Sequence, residues 1–260
     1  MTTKNLNIAL FPQNIKWGDK AENMRVLIDT LESLHPETDL LILPETFSTG
    51  FMSGKTRDEL RPLAERNTGK TIDTIKALSR KHNVAIAGSF IADSGGVLYN
   101  RAFFIEPNGE ETFADKKHLF TMAGEDKVFG RGAERMAVRF RGWNISMIVC
   151  YDIRFPIWCR NRQNEYDLLI AVANWPKPRS SAWELLLRAR AVENEAYVAG
   201  VNCLGTDDLG IVYGGESAII DFKGKDTGIY PERHPFIYAQ LDIEKLRRFR
   251  EKFPAWKDAD

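Results

Sequence analysis

The chain has 260 residues, 43% of them hydrophobic, and its 36 Lys+Arg balance its 36 Asp+Glu to a formal charge of zero. That length and apolar content predict one large folded domain and exclude a disordered chain. The balanced charge lacks the basic footprint of a general nucleic-acid binder. Cys150, Cys159 and Cys203 cannot all pair and have no zinc-type spacing, so reduced thiols in a cytoplasmic protein are expected. The stretch Met1-Thr2-Thr3-Lys4-Asn5 runs straight into an apolar strand without a signal-peptide layout. No apolar run approaches the ~20 residues of a membrane span, so no membrane partner is expected.

In chain order, Leu6 to Phe11 reads as a first strand. Asp19 to Leu34 places Met24, Leu27, Ile28, Leu31 and Leu34 on one helical face. Leu40 to Leu43 is a short buried strand stopped by Pro44. A helix over Thr71 to His82 turns Ile72, Ile75 and Leu78 inward, and Val84 to Phe90 is a strand. Arg101 to Glu106 and Glu111 to Ala114 flank Pro107-Asn108-Gly109 as a hairpin. Met136 to Phe140 and Ile145 to Val149 flank a further turn, Arg141-Gly142-Trp143-Asn144. Leu168 to Ala173 is a strand, Ser181 to Asn194 a helix, and Tyr197 to Asn202 and Ser217 to Asp221 are strands. Alternating strands and helices imply helices layered over sheet, and the hairpins make the sheets mixed. The chain reads as a single domain over 1–260, with a core of about residues 6–242 and a C-terminal tail over 243–260.

Four polar groups stand at predicted strand ends, where open α/β sheets form ligand crevices. Cys150 closes the apolar run Ile145-Ser146-Met147-Ile148-Val149 and precedes Tyr151-Asp152-Ile153-Arg154-Phe155-Pro156. A thiol held there is a nucleophile once its proton is removed, or else an inert core cysteine. Glu45, after Leu41-Ile42-Leu43-Pro44, offers a carboxylate as general base, or is a solvated turn residue. Lys116 in Asp115-Lys116-Lys117-His118-Leu119-Phe120 offers a cation for a thiolate or an oxyanion, or is half of a surface basic pair. Glu125 in Met122-Ala123-Gly124-Glu125-Asp126 could orient these groups or a water, and His118 is either a partner for the thiol or a structural residue. Phosphate-loop, dinucleotide, GxSxG and HExxH motifs are absent from the sequence.

Taken in order, these segments resemble the nitrilase superfamily of carbon–nitrogen hydrolases. The match runs through Leu43-Pro44-Glu45-Thr46-Phe47, Asp115 to Phe120 and Val149 to Pro156. It continues in Ala173-Asn174-Trp175-Pro176, in Trp183 with Arg190-Ala191-Val192-Glu193-Asn194, and in Gly215 to Asp221. The resemblance implies an αββα four-layer sandwich of two mixed sheets flanked by helices. It implies a homodimer, or a higher homo-oligomer, joined through helices near the cysteine. It further implies that Glu45, Lys116, Cys150 and Glu125 are catalytic, with the backbone N–H of Tyr151 as an oxyanion donor. Neither metal nor organic cofactor is required. Glu45 would take the thiol proton, a thioester would form, and water activated by Glu45 would release the acid.

The wording around Lys116 to Glu125 and the Arg141-Gly142-Trp143 turn look like the omega-amidase branch in its bacterial form. That likeness implies a small-molecule substrate: the monoamide of a 2-oxo dicarboxylic acid, such as 2-oxoglutaramate or 2-oxosuccinamate. Such a substrate needs a cation for its far carboxylate. Arg154 is the first candidate, with Lys127 and Arg131 as alternatives, and Arg154 could instead pair with Asp152 or contact a second subunit. Phe120, Met122 and Trp175 would line a small pocket. Rival readings are an aliphatic amidase or N-carbamoyl amidohydrolase, a nitrilase proper, a non-catalytic scaffold, and a redox sensor using Cys150.

Overall fold

A computed structural model describes residues 5–51 and 53–258. In chain order its strands begin with β1 (Leu6–Leu10), β2 (Leu40–Ile42), β3 (Ala85–Ser94), β4 (Val97–Ile105), β5 (Glu111–Asp115) and β6 (Met136–Phe140). They continue with β7 (Trp143–Val149), β8 (Leu168–Ala173), β9 (Tyr197–Asn202), β10 (Leu204–Thr206), β11 (Val212–Gly214), β12 (Ala218–Ile220) and β13 (Ile237–Leu241). The longer helices are α1 (Lys20–Leu31), α2 (Lys70–His82), α3 (Ser180–Glu193) and α4 (Ile243–Lys252).

Among the described residues one sheet has the order β13-β1-β2-β3-β4-β5 and a second has β12-β9-β8-β7-β6. Both are mixed. β1, β2 and β3 are parallel neighbours, as are β7, β8 and β9, while hairpins and edge strands pair antiparallel.

The period of two along each strand sorts side chains between layers. Ile8, Leu10, Leu40 and Ile42 of the first sheet meet Val149, Leu168, Ile170 and Val172 of the second in one buried core. The alternate residues Ala9 and Leu41 face Leu27 and Leu31 of α1 and Ile72 and Ile75 of α2. On the other side Leu169, Ala171 and Val198 face Trp183, Leu187 and Ala191 of α3. Helix, sheet, sheet and helix therefore stack as an αββα sandwich. At Gly200 of β9 an added Cβ would lie 2.5 Å from Leu187 Cδ2, so the absent side chain is what lets α3 sit this close.

Three local departures from the sequence reading have physical causes. The predicted four-residue turn before the cysteine strand contracts to Arg141-Gly142, because Phe140 pairs with Trp143. Both turn residues have positive φ, +48° and +84°, which suits a two-residue hairpin. β4 starts at Val97 rather than Arg101, bringing Asn100 inside the sheet. The segment after residue 242, read as a tail beyond the core, instead holds α4. Asp242 caps this helix by accepting the Lys245 N–H at 2.9 Å, and Ile243 and Leu246 enter the inter-sheet core.

Candidate active site

β5 is antiparallel to β4, and β4 to β3, so β5 runs the same way as β2. Glu45 follows β2 and Lys116 follows β5 at one end of the first sheet, while Cys150 follows β7 and Asn174 follows β8 in the second. The sandwich brings these four strand ends together around a cavity of about 590 Å³, lined by Glu45, Lys116, Cys150 and Asn174. Phe120, Met122, Tyr151, Arg154 and Trp175 also line it, with Phe51, Arg179, Ile211 and Tyr213.

Lys116 Nζ lies 2.9 Å from Glu45 Oε1 and 2.9 Å from Glu125 Oε1. All three side chains are buried. Glu45 also accepts from Asn100 Nδ2 at 2.7 Å and from the Asn174 backbone N–H at 2.9 Å. Asn100 is itself fixed, since its Oδ1 accepts from Ser89 Oγ at 2.9 Å while Ser89 Oγ accepts the Thr46 N–H at 2.8 Å. Glu125 opens the short helix Glu125–Val128 and accepts the Phe120 N–H at 2.6 Å. It stands behind Lys116 rather than in the cavity wall.

Burial opposes the charge on Lys116, yet Glu125 and Glu45 more than offset it and hold the ammonium well above its ordinary pKa. Burial, aided by Glu45, pushes Glu125 up against the pull of Lys116. Burial likewise pushes the Cys150 thiol well above its usual value; the Glu45 carboxylate beside it adds to this, and Lys116 opposes. The thiol thus rests neutral beside the Glu45 side chain, with the Lys116 ammonium alongside. Cys150 has φ +48°, the left-handed region rarely used outside glycine, which turns its side chain off the strand into the cavity.

The turn after Cys150 is locked by Asp152. Its Oδ2 accepts the Val149 N–H at 3.1 Å, and its Oδ1 accepts the His118 N–H at 2.8 Å and lies 2.8 Å from His118 Nδ1. His118 stacks on Phe155 with centroids 3.7 Å apart. It is therefore a tie between the lysine loop and the cysteine turn, and not the thiol's partner.

Asp152 is committed to these bonds, and among the described residues Arg154 forms no ion pair. Its guanidinium lies over the Trp175 ring, 4.8 Å from the centroid, at the cavity rim. Lys127 and Arg131, the alternative cations, are exposed and outside the cavity wall.

Residues without a role in the sequence reading complete the site: Asn100 and Asn174 on Glu45, Phe51 and Tyr213 in the wall, and Asn202 beneath it. Asn202 Oδ1 accepts the Trp175 N–H at 2.7 Å and its Nδ2 donates to Trp175 O at 2.9 Å, clamping that residue at both ends.

The carbon–nitrogen hydrolase family profile matches residues 7–251. The omega-amidase YafV of Escherichia coli K12 is 41% identical over 256 residues, covering 98% of this chain and 97% of its own. The 2-oxoglutaramate amidase of Bacillus subtilis is 30% identical over 248 residues, 94% of each. A CN-hydrolase superfamily protein of Xanthomonas campestris, whose crystal structure carries an arsenic adduct in the active site, superposes with a TM-score of 0.93. It is 37% identical, covering 99% of this chain and 98% of its own. The chain belongs to the carbon–nitrogen hydrolase family, in the omega-amidase-like branch of the nitrilase superfamily, and is a hydrolase of amide carbon–nitrogen bonds.

Proposed function

We propose that the enzyme hydrolyses the distal amide of a 2-oxo dicarboxylic acid monoamide, with 2-oxoglutaramate and 2-oxosuccinamate as substrates, through a thioester on Cys150. The observation carrying this reading is the meeting of Glu45, Lys116 and Cys150 at one cavity, with Arg154, which forms no ion pair among the described residues, on its rim. The names of the E. coli and B. subtilis relatives, an omega-amidase and a 2-oxoglutaramate amidase, support the same substrate class.

The thiol proton passes to Glu45 as Sγ attacks the amide carbonyl and the carbon–sulfur bond forms. Negative charge moves to the carbonyl oxygen, where the Lys116 ammonium and the Tyr151 backbone N–H stabilise it; such donors contribute about 3 kcal/mol each. Glu45 returns the proton to nitrogen, the carbon–nitrogen bond breaks and ammonia leaves. Water then attacks the thioester, giving its proton to Glu45, and the released sulfur recovers a proton as the 2-oxo acid departs. Glu125 keeps Lys116 in place, and Arg154 holds the far carboxylate.

Ammonia release from 2-oxoglutaramate, run beside glutamine, an N-carbamoyl amino acid and a simple nitrile, tests this. Rapid release from the oxo-acid amide is expected, falling by at least roughly 1,000-fold in Cys150→Ala. Preferred turnover of the N-carbamoyl compound, with carbon dioxide released, would move the enzyme to another branch. Undiminished activity in Cys150→Ala would end the thioester assignment.

A further inference from the structure

Charge around the cavity is uneven in a way that one arginine does not explain. Glu45 is the only acid among the described residues that line it, and that carboxylate already receives Lys116. Lys116 is further compensated by Glu125. Two cations on the rim are left over, Arg154 and Arg179. Among the described residues neither has a carboxylate within ion-pair distance.

Both guanidinium groups are laid on aromatic rings of the same cavity. Arg154 covers Trp175 at 4.8 Å and Arg179 covers Phe120 at 5.2 Å. A guanidinium on an aromatic face is held in one plane while its N–H donors stay free at the edge. Trp175 ties the two together. Its ring face supports Arg154, and its Nε1–H donates to Arg179 O at 2.7 Å. Asn202 fixes the Trp175 backbone from below. Two rigid forks with unused donors on one rim make a receptor for a planar anion.

We infer that Arg179 is a specificity residue, the second arm of a two-arginine clamp that holds the substrate carboxylate between Arg154 and Arg179. Trp175 is the positioning residue for both arms. This rests on the substrate class proposed above. The clamp selects amides that carry a carboxylate at their far end over neutral aliphatic amides, which make no charge-assisted bond to either guanidinium.

The test compares kcat/KM for 2-oxoglutaramate with kcat/KM for butyramide, as a ratio, in wild type, Arg179→Met and Arg179→Lys. Methionine keeps an apolar contact on Phe120 and removes the charge. The ratio is expected to fall roughly 10- to 100-fold in Arg179→Met, mainly through KM, with partial recovery in Arg179→Lys. Competitive inhibition by 2-oxoglutarate, which needs no chemistry, should weaken in the same proportion. A large wild-type ratio that Arg179→Met leaves unchanged overturns the clamp and leaves the substrate class standing. Equal losses on both amides, with inhibition unchanged, also overturn it. A wild-type ratio near one removes the substrate class itself.

Discussion

In the proposed mechanism Cys150 rests as a protonated thiol rather than a ready nucleophile. Burial and the neighbouring Glu45 carboxylate both hold its proton on, and Lys116 alone works in the other direction. The proposed mechanism therefore couples proton transfer to attack, the thiolate forming only as the carbonyl arrives to take its charge. This gives Glu45→Gln a distinctive outcome. Turnover should fall by about 100- to 10,000-fold with the base removed. The thiol pKa should nonetheless drop, since a raising charge is gone while Lys116 stays. The pH dependence of alkylation by iodoacetamide, measured beside ammonia release, reads both effects, and a thiol that titrates no lower than in wild type would refute the coupling. That Glu45, Lys116 and Cys150 meet at one cavity could be expected from the sequence because each lies in a segment whose local wording resembles a known family. Asn100 and Asn202 were not. A polar residue inside a strand carries no periodic signal, and their bonds reach Glu45 and Trp175 across 55 and 27 residues.

At the level of elements, the site depends on how loops are tied rather than on the strands alone. Asp152 joins the loop after β5 to the turn after β7, and both of its oxygens are used. Asp152→Asn must present an amide N–H₂ to one of those N–H donors, leaving two donors facing each other in a buried place. The expected cost is about 1–3 kcal/mol in urea unfolding, with a loss in kcat larger than the change in KM. Wild-type stability together with wild-type kcat would show that the tie is dispensable. The same contrast explains which elements could be read in advance. α1 and α2 show their apolar faces plainly. α4 reads Ile-Glu-Lys-Leu-Arg-Arg-Phe-Arg, where charge hides a narrow stripe of Ile243, Leu246 and Phe249, and the short β10 and β11 are too brief for any period to register.

For the molecule as a whole, the two faces of each sheet are both covered, and the thiols share that burial. Cys159 and Cys203 are fully inaccessible. Burial raises the Cys159 thiol from the usual value near 9 to about 12, against the pull of Arg190, and pushes Cys203 well above the usual value too. Between the unfolded and folded pKa values the native chain holds protons that the unfolded chain has released. Stability therefore falls as pH rises through that window, by at most about 1.4 kcal/mol per pH unit for each such thiol. Below the unfolded value both states are protonated and the contribution is constant. Cys159→Ala isolates one thiol: it should be the less stable protein at about pH 8, because it leaves a small cavity. Above about pH 9 the gap to wild type should close by up to the slope just given, since the variant has no thiol there to ionise on unfolding. Urea unfolding of both proteins from about pH 8 to about pH 11 measures the gap directly, and a gap that stays constant would mean that the buried thiol does not couple folding to pH.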